Sequence, residues 1–249
     1  MPTWIFLRGL TRERRHWGGF VAQFQQALPG HQVLALDLAG NGLRNSETSA
    51  ATVQDMVADC RTQLARSPTT PPYHLLAMSL GAMVAVAWAH SHPQEIASLV
   101  LINTSLRPFN PMAQRLLPAN YGTLARLTLS GASPLAWERA ILRMTSNQND
   151  PSILPSWLAL RQANPVSRIN ALRQLLAAAR FCAPPQRPLM PTLLLASQHD
   201  HLVSVECTLT LARHWHCPVR THASAGHDLP LDDGLWVVTQ VAQWPECDK

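Results

Sequence analysis

The sequence has no long apolar run, since no stretch approaches the ~20 apolar residues that a membrane-spanning helix needs. Its first fifteen residues, MPTWIFLRGLTRERR, place the apolar stretch ahead of the charges, whereas a secretory signal begins with charges and continues with a longer apolar core. We therefore expect a cytoplasmic protein without membrane insertion.

Cysteine is scarce and occurs in an odd number, with no CxxC pair. That usage argues against a disulfide framework and against a cysteine-based metal site, and it fits a reducing compartment. The five residues are Cys60, Cys182, Cys207, Cys217 and Cys247.

Charge is also scarce, because charged residues make up 14% of the 249 residues while hydrophobic residues make up 47%, a globular composition. Lys249 is the single lysine. Between Arg107 and Arg187, ten arginines stand against Glu138 and Asp150, so ten minus two leaves +8 in that segment, although the whole chain carries only +5. A solvated basic face or a mouth that attracts anionic partners would both account for this excess. Nucleic acid is disfavoured, because no aromatic and basic platform or groove-reading motif is present.

Short apolar runs alternate with longer helix-like segments. Strands are predicted at 3–9, 31–38, 73–78, 96–105, 191–197 and 218–224, and helices at 17–28, 52–65, 81–90 and 234–244. The strand runs are almost continuously apolar, which is typical of strands covered on both faces. The fold class predicted is therefore α/β, a mostly parallel sheet flanked by helices, with chemistry at the carboxyl ends of the strands.

Residues 106–189 break this alternation and contain five helix-like pieces separated by prolines. They predict a helical cap inserted into a core formed by residues 1–105 and 190–249. The last piece carries an apolar stripe at helical spacing, formed by Val166, Ile169, Leu172, Leu175 and Leu176.

A single serine, Ser79, lies between the predicted third strand and the helix that follows, in the sequence Ala77-Met78-Ser79-Leu80-Gly81. Small residues two places on either side permit a very tight turn that lifts the hydroxyl clear of the backbone and sets it at a helix N-terminus. This is the pattern of a nucleophile elbow. A buried turn serine would be the structural alternative.

A serine nucleophile needs a histidine base and a carboxylate that orients it. His227 follows the sixth strand and Asp200 follows the fifth, so both are expected at the same edge of the sheet as Ser79. The other histidines fit strand interiors, helix ends or loops better, and a weak metal cluster at His199 and His201 is the minor alternative.

The order Ser79, Asp200, His227 and the segments FLRGLTRERRHW, LDLAGNG, AMSLGA, ASQHDHLV and AGHDLPLDD resemble the α/β-hydrolase superfamily, of the compact bacterial esterase type with a helical cap. The resemblance covers nearly the whole chain. It implies a catalytic triad of those three residues and an oxyanion hole formed by the N–H groups of Leu10 and Leu80. Arg8 stands where the family usually has a histidine, so the hydrogen bonding that normally holds this loop is expected to differ.

The resemblance implies a serine hydrolase that cleaves carboxylic esters of short to medium acyl chains through an acyl-enzyme on Ser79, with no cofactor and no metal. The expected partner is a small-molecule acyl ester, and the basic cap adds the hypothesis of an anionic substrate or one bound to an acyl carrier protein. A thioesterase, or a C–C hydrolase or lyase with the same triad, stays open. So does a ligand-binding protein of low turnover.

Overall fold

In the computed structural model, which describes residues 1–148 and 150–245, six parallel strands form one sheet in the order β2-β1-β3-β4-β5-β6. Cys247 and Lys249 lie outside the described residues. The predicted fold class is confirmed. The strands are β1 (Thr3–Leu7), β2 (Gln32–Leu36), β3 (Tyr73–Met78), β4 (Ile96–Ile102), β5 (Thr192–Ser197) and β6 (Val219–His222).

Successive residues of the central strands point into two separate apolar layers, as the pleat requires. In β1, for example, Ile5 and Leu7 belong to one core cluster, and Trp4 and Phe6 to the other. The first layer packs against α2 (Val53–Leu64), α3 (Leu80–Ser91) and α9 (Val205–Trp215), and the second against α1 (Phe20–Ala27) and α10 (Leu229–Ala242). Both faces of the sheet are therefore covered, as the continuous apolar runs predicted.

Several predicted boundaries shift by a few residues. Strand β1 ends at Leu7 rather than at residue 9, and β4 ends at Ile102 because Asn103 adopts a left-handed φ of 46°. Helix α10 begins at Leu229, five residues before the prediction, and bends at Asp233.

Helix α9 was missed from the sequence, although its signals are present. Ser204 caps its N-terminus, and Cys207, Leu211 and Trp215 recur every four residues on its buried face. His199 and His201 lie in the loop that precedes it.

The part of the chain that the structure describes between β4 and β5 contains five α-helices: α4 (Met112–Arg115), α5 (Tyr121–Leu129), α6 (Pro134–Thr145), α7 (Ile153–Ala163) and α8 (Arg168–Arg180). We call residues 106–189 the cap segment. Each of the five predicted helical pieces overlaps one of these helices.

Helix α8 presents a polar face to the core. Most of its apolar stripe is exposed, with Ile169 at 70%, Leu172 at 65% and Leu175 at 47%. The buried face holds Asn170 and Gln174 instead, together with the small side chain of Ala177. These amides bond to irregular backbone and polar side chains of the core, namely Thr11, Asn41, Glu47 and Ser49. Loops offer unpaired backbone groups, so burying a helix against them requires amide partners rather than leucines.

Within residues 1–148 and 150–245, no helix is long and apolar enough to cross a membrane.

Candidate active site

Ser79 occupies a strained turn between β3 and α3. Its φ of 54° and ψ of −120° lie in a region that non-glycine residues rarely adopt, and such strain is typical of functional positions. The neighbouring glycines explain the tightness. A Cβ on Gly9 would lie 3.1 Å from Ser79 Cβ, and one on Gly81 would lie 2.4 Å from the carbonyl oxygen of Leu7. The turn thus brings the serine, the start of α3 and the loop after β1 into contact.

His227 and Asp200 form the pair that the sequence predicted. His227 Nδ1 lies 2.7 Å from Asp200 Oδ2, and both side chains are buried. The second carboxylate oxygen of Asp200 accepts hydrogen bonds from the backbone N–H groups of Leu202 and Val203. The carboxylate is therefore fixed from both sides, and it orients the imidazole.

The pKa of His227 is raised above the ordinary 6.5 by competing influences. Burial acts most strongly and lowers it, but the charge and the hydrogen bond of Asp200 oppose burial, and the net direction is upward. Asp228 raises the pKa further, and Arg8 opposes it. The imidazole is thus a stronger base than a free histidine.

The buried Nε2 of His227 has no hydrogen-bond partner among the described residues. Ser79 and His227 are therefore not joined by a hydrogen bond in this structure. A buried nitrogen without a partner is costly unless a substrate, water or hydroxyl meets it. The assignment of Ser79 as nucleophile stays a prediction.

Asn103 positions the loop that carries His227. Its side-chain N–H₂ donates to the carbonyl oxygens of Gly226 and His227, and its Oδ1 accepts from the N–H of Ser197. This supporting role of Asn103 was not predicted from the sequence. Its place at the end of β4 was the signal that could have shown this supporting role.

The proposed oxyanion donors belong to two adjoining segments. Leu80 is the first residue of α3, so its N–H has no partner within the helix. Within the described parts of the chain, neither this N–H nor that of Leu10 donates a hydrogen bond. Arg8, which replaces the usual histidine, forms a buried two-fold ion pair with Asp228.

A second buried cluster joins the same loop to the cap segment. Arg12 donates to Glu138 of α6 at 2.7 Å and lies over the ring of Trp157 of α7, 4.2 Å from its centre. Arg161 reaches the other oxygen of Glu138 at 2.9 Å. Opposite charges at this junction hold the cap segment against the loop that carries Leu10.

The cysteines of the described residues are free, and none belongs to this site. Burial raises the pKa of Cys60 and of Cys207 to about 12, so both thiols stay protonated. Within residues 1–148 and 150–245 there is no group of three or more His, Cys, Asp or Glu that could hold a metal ion. His199 and His201 form no such group there.

Comparison with known proteins agrees with this architecture. The family model described as serine aminopeptidase, S33, matches residues 5–233. The candidate carbamate hydrolase RutD of Variovorax paradoxus (strain S110) is 30% identical over 214 residues, which cover 78% of this chain and 75% of that protein.

Solved structures share the fold at low identity. A thermophilic esterase from Thermogutta terrifontis with malate bound has a TM-score of 0.77 at 21% identity, over 98% of this chain and 89% of that one. The 2-hydroxy-6-oxo-6-phenylhexa-2,4-dienoate hydrolase BphD of Rhodococcus sp. strain RHA1 has a TM-score of 0.77 at 18% identity, over 100% and 91%. Together with the family match, the sheet, the elbow and the histidine–carboxylate pair lead to one assignment: this chain is a hydrolase of the α/β-hydrolase superfamily and belongs to the serine aminopeptidase S33 family.

Proposed function

We propose that this hydrolase cleaves carboxylic esters of short to medium acyl chains through an acyl-enzyme on Ser79. The observation that carries the proposal is the buried His227, which Asp200 holds through Nδ1 while Nε2 has no partner among the described residues. An imidazole held in this way is ready to accept a proton, and the strained Ser79 at the end of β3 supplies the hydroxyl.

In the first half of the reaction, Ser79 Oγ attacks the acyl carbon while His227 Nε2 takes the hydroxyl proton. The carbonyl oxygen becomes an oxyanion, which the N–H groups of Leu10 and Leu80 stabilise. The bond from the acyl carbon to the leaving oxygen then breaks, and His227 returns its proton to the departing alcohol. Asp200 stays ionised and stabilises the imidazolium.

The second half repeats these steps with water. His227 removes a proton from the water as its oxygen attacks the acyl carbon, and the new oxyanion collapses. Ser79 leaves with the proton from His227, and the carboxylic acid is released.

The test is labelling with a fluorophosphonate probe together with turnover of p-nitrophenyl esters of graded chain length. Ser79→Ala should abolish labelling and lower kcat by roughly 10⁴- to 10⁶-fold. Ser91→Ala is the matched control, because Ser91 ends the same helix and bonds only locally. Full activity of Ser79→Ala would contradict the proposal. Labelling without turnover of any ester or thioester would instead favour a ligand-binding protein of low turnover.

A second candidate substrate class is suggested by the relative in Variovorax paradoxus, which is described as a carbamate hydrolase. Carbamate cleavage would use the same attack by Ser79 on a carbonyl carbon. Comparing kcat/KM for p-nitrophenyl acetate with that for a p-nitrophenyl carbamate separates the two. A preference for the carbamate would replace the ester assignment without altering the roles of the residues.

We also propose that the substrate is anionic or is an acyl chain carried on an acidic carrier protein. The support is the basic cap segment, in which Arg168 and Arg180 are exposed at the two ends of α8. Arg168→Glu/Arg180→Glu should lower hydrolysis of a carrier-bound ester and leave that of the free ester unchanged. The control is Arg66→Glu/Arg220→Glu, which reverses the same charge at exposed positions outside the cap segment. An unchanged ratio of carrier-bound to free ester hydrolysis would contradict this proposal.

A further inference from the structure

Arg8 and Asp228 form a buried ion pair between two loops of the candidate active site. Arg8 Nη1 donates to Asp228 Oδ1 at 3.0 Å, and Nη2 donates to Oδ2 at 2.5 Å. The side chains are 2% and 4% exposed. Two parallel bonds of this kind fix the relative orientation of both groups as well as their distance.

The two residues of this pair belong to the two loops that carry the proposed oxyanion donor Leu10 and the base His227. Arg8 directly follows β1 and begins the loop that carries Leu10. Asp228 directly follows His227 and precedes α10. The pair therefore joins the proposed oxyanion loop to the base, across 220 residues of sequence.

Other contacts hold Arg8 in place. Its guanidinium lies over the ring of Trp17, 4.7 Å from the ring centre. Its carbonyl oxygen is one of the backbone atoms that abut Gly81, where a Cβ would come within 2.7 Å. One residue thus contacts the start of α3, the second apolar layer and the histidine loop.

We propose that Arg8 and Asp228 are positioning residues for the hydrolytic reaction. They hold the N–H of Leu10 and the imidazole of His227 at the positions relative to Ser79 that the reaction requires. The inference rests on the proposed function of Ser79 and His227. The inference also explains why an arginine can replace the usual histidine at position 8, because the longer side chain reaches the carboxylate of Asp228 on the opposite loop.

The pair also balances charge beside the base. The charged groups that face His227 are Asp200 from the loop after β5, Asp228 from its own loop and Arg8 from the loop after β1, while Asn103 at the end of β4 is neutral. Asp228 raises the pKa of His227 and Arg8 lowers it. Removing the negative member alone leaves the positive charge uncompensated, and the pKa of His227 should fall.

The experiment compares Asp228→Asn with Arg8→Lys. Asp228→Asn should lower kcat by about 100-fold, the size expected when a catalytic group is displaced by about 1 Å. It should also move the acid midpoint of the kcat/KM profile to lower pH. Arg8→Lys keeps the charge but loses the two-fold geometry. It should lower kcat with little change in KM or in that midpoint.

The matched controls are Glu95→Gln and Arg61→Lys, because Arg61 and Glu95 form another two-fold pair, remote from both loops. These variants should keep the wild-type kcat and midpoint. Counting sites with the fluorophosphonate probe gives kcat per folded molecule, so that a loss of folded protein is not mistaken for a loss of positioning.

Wild-type kcat per labelled site in both Asp228→Asn and Arg8→Lys would overturn the inference. A lower kcat in Asp228→Asn without any shift of the acid midpoint of the kcat/KM profile would also overturn the inference, since a purely structural pair would behave in that way. If the wild-type protein fails to label at Ser79, the proposed function itself fails, and the two failures are therefore distinguishable.

Discussion

Replacing Gly81 with alanine perturbs the contact between the start of α3 and the loop after β1. A Cβ there would lie 2.4 Å from the carbonyl oxygen of Leu7 and 2.7 Å from that of Arg8. Both atoms belong to the backbone and cannot rotate away. Ordinary contact begins at 3.4 Å, so the two segments must separate by about 1.0 Å (3.4 minus 2.4).

That separation falls on the loop that carries Leu10. A misplacement of about 1 Å at a reacting centre can cost roughly 100-fold in rate. Gly81→Ala should therefore lower kcat for p-nitrophenyl butyrate by about 100-fold. Overpacking of this kind should also lower the free energy of unfolding by about 1–3 kcal/mol. Turnover per labelled site measures the first effect, and urea denaturation measures the second.

Gly122→Ala is the matched control. Gly122 lies in α5, and a Cβ there would meet no atom within 4 Å. Alanine is also the better helix former, so stability should be unchanged or raised by up to about 1 kcal/mol, at wild-type activity. Wild-type kcat and stability in Gly81→Ala would refute the reasoning, since the tight contact would then not constrain the loop.

Three further predictions concern charge. Asp200→Asn should lower kcat by about 10⁴-fold while the far-UV spectrum is retained, because the imidazole of His227 loses its orientation. The base must be neutral to act and the pKa of His227 is raised, so kcat/KM should fall as pH drops through a midpoint above 6.5, and a midpoint below 6.5 would contradict the pKa direction. Glu138→Gln should lower the free energy of unfolding by roughly 3–5 kcal/mol, because it leaves Arg12 buried without its charge partner. The exposed Glu47→Gln should cost less than about 1 kcal/mol in the same denaturation series.

The sequence predicted the sheet and the elements of the candidate site because their signals are local. Each strand is an apolar run of its own. Ser79 directly follows β3, and Asp200 and His227 lie in the loops that follow β5 and β6. Parallel strands bring their carboxyl ends together, so the position of each residue relative to its strand was enough to predict the histidine–carboxylate pair.

The features that could not be predicted depend on contacts between distant segments. Nothing near Arg8 in the sequence indicates that its partner is Asp228, because each belongs to a loop whose path is set by the whole sheet. The buried face of α8 could not be predicted for a related reason. Helical periodicity located an apolar stripe, but the surface opposite α8 consists of loops, and their hydrogen-bonding needs brought Asn170 and Gln174 inward.

The amides on the buried face of α8 have a consequence for how a movement of this helix would depend on temperature. Water could take over the bonds of Asn170 and Gln174 if α8 moved away from the core, and the buried apolar side chain that α8 itself would expose is the small one of Ala177. The heat-capacity change of such a motion follows the apolar area that it exposes, and here that area is small. The free energy of moving α8 outward should therefore vary with temperature with little curvature, whereas the free energy of unfolding the sheet, which buries two apolar layers, should be strongly curved.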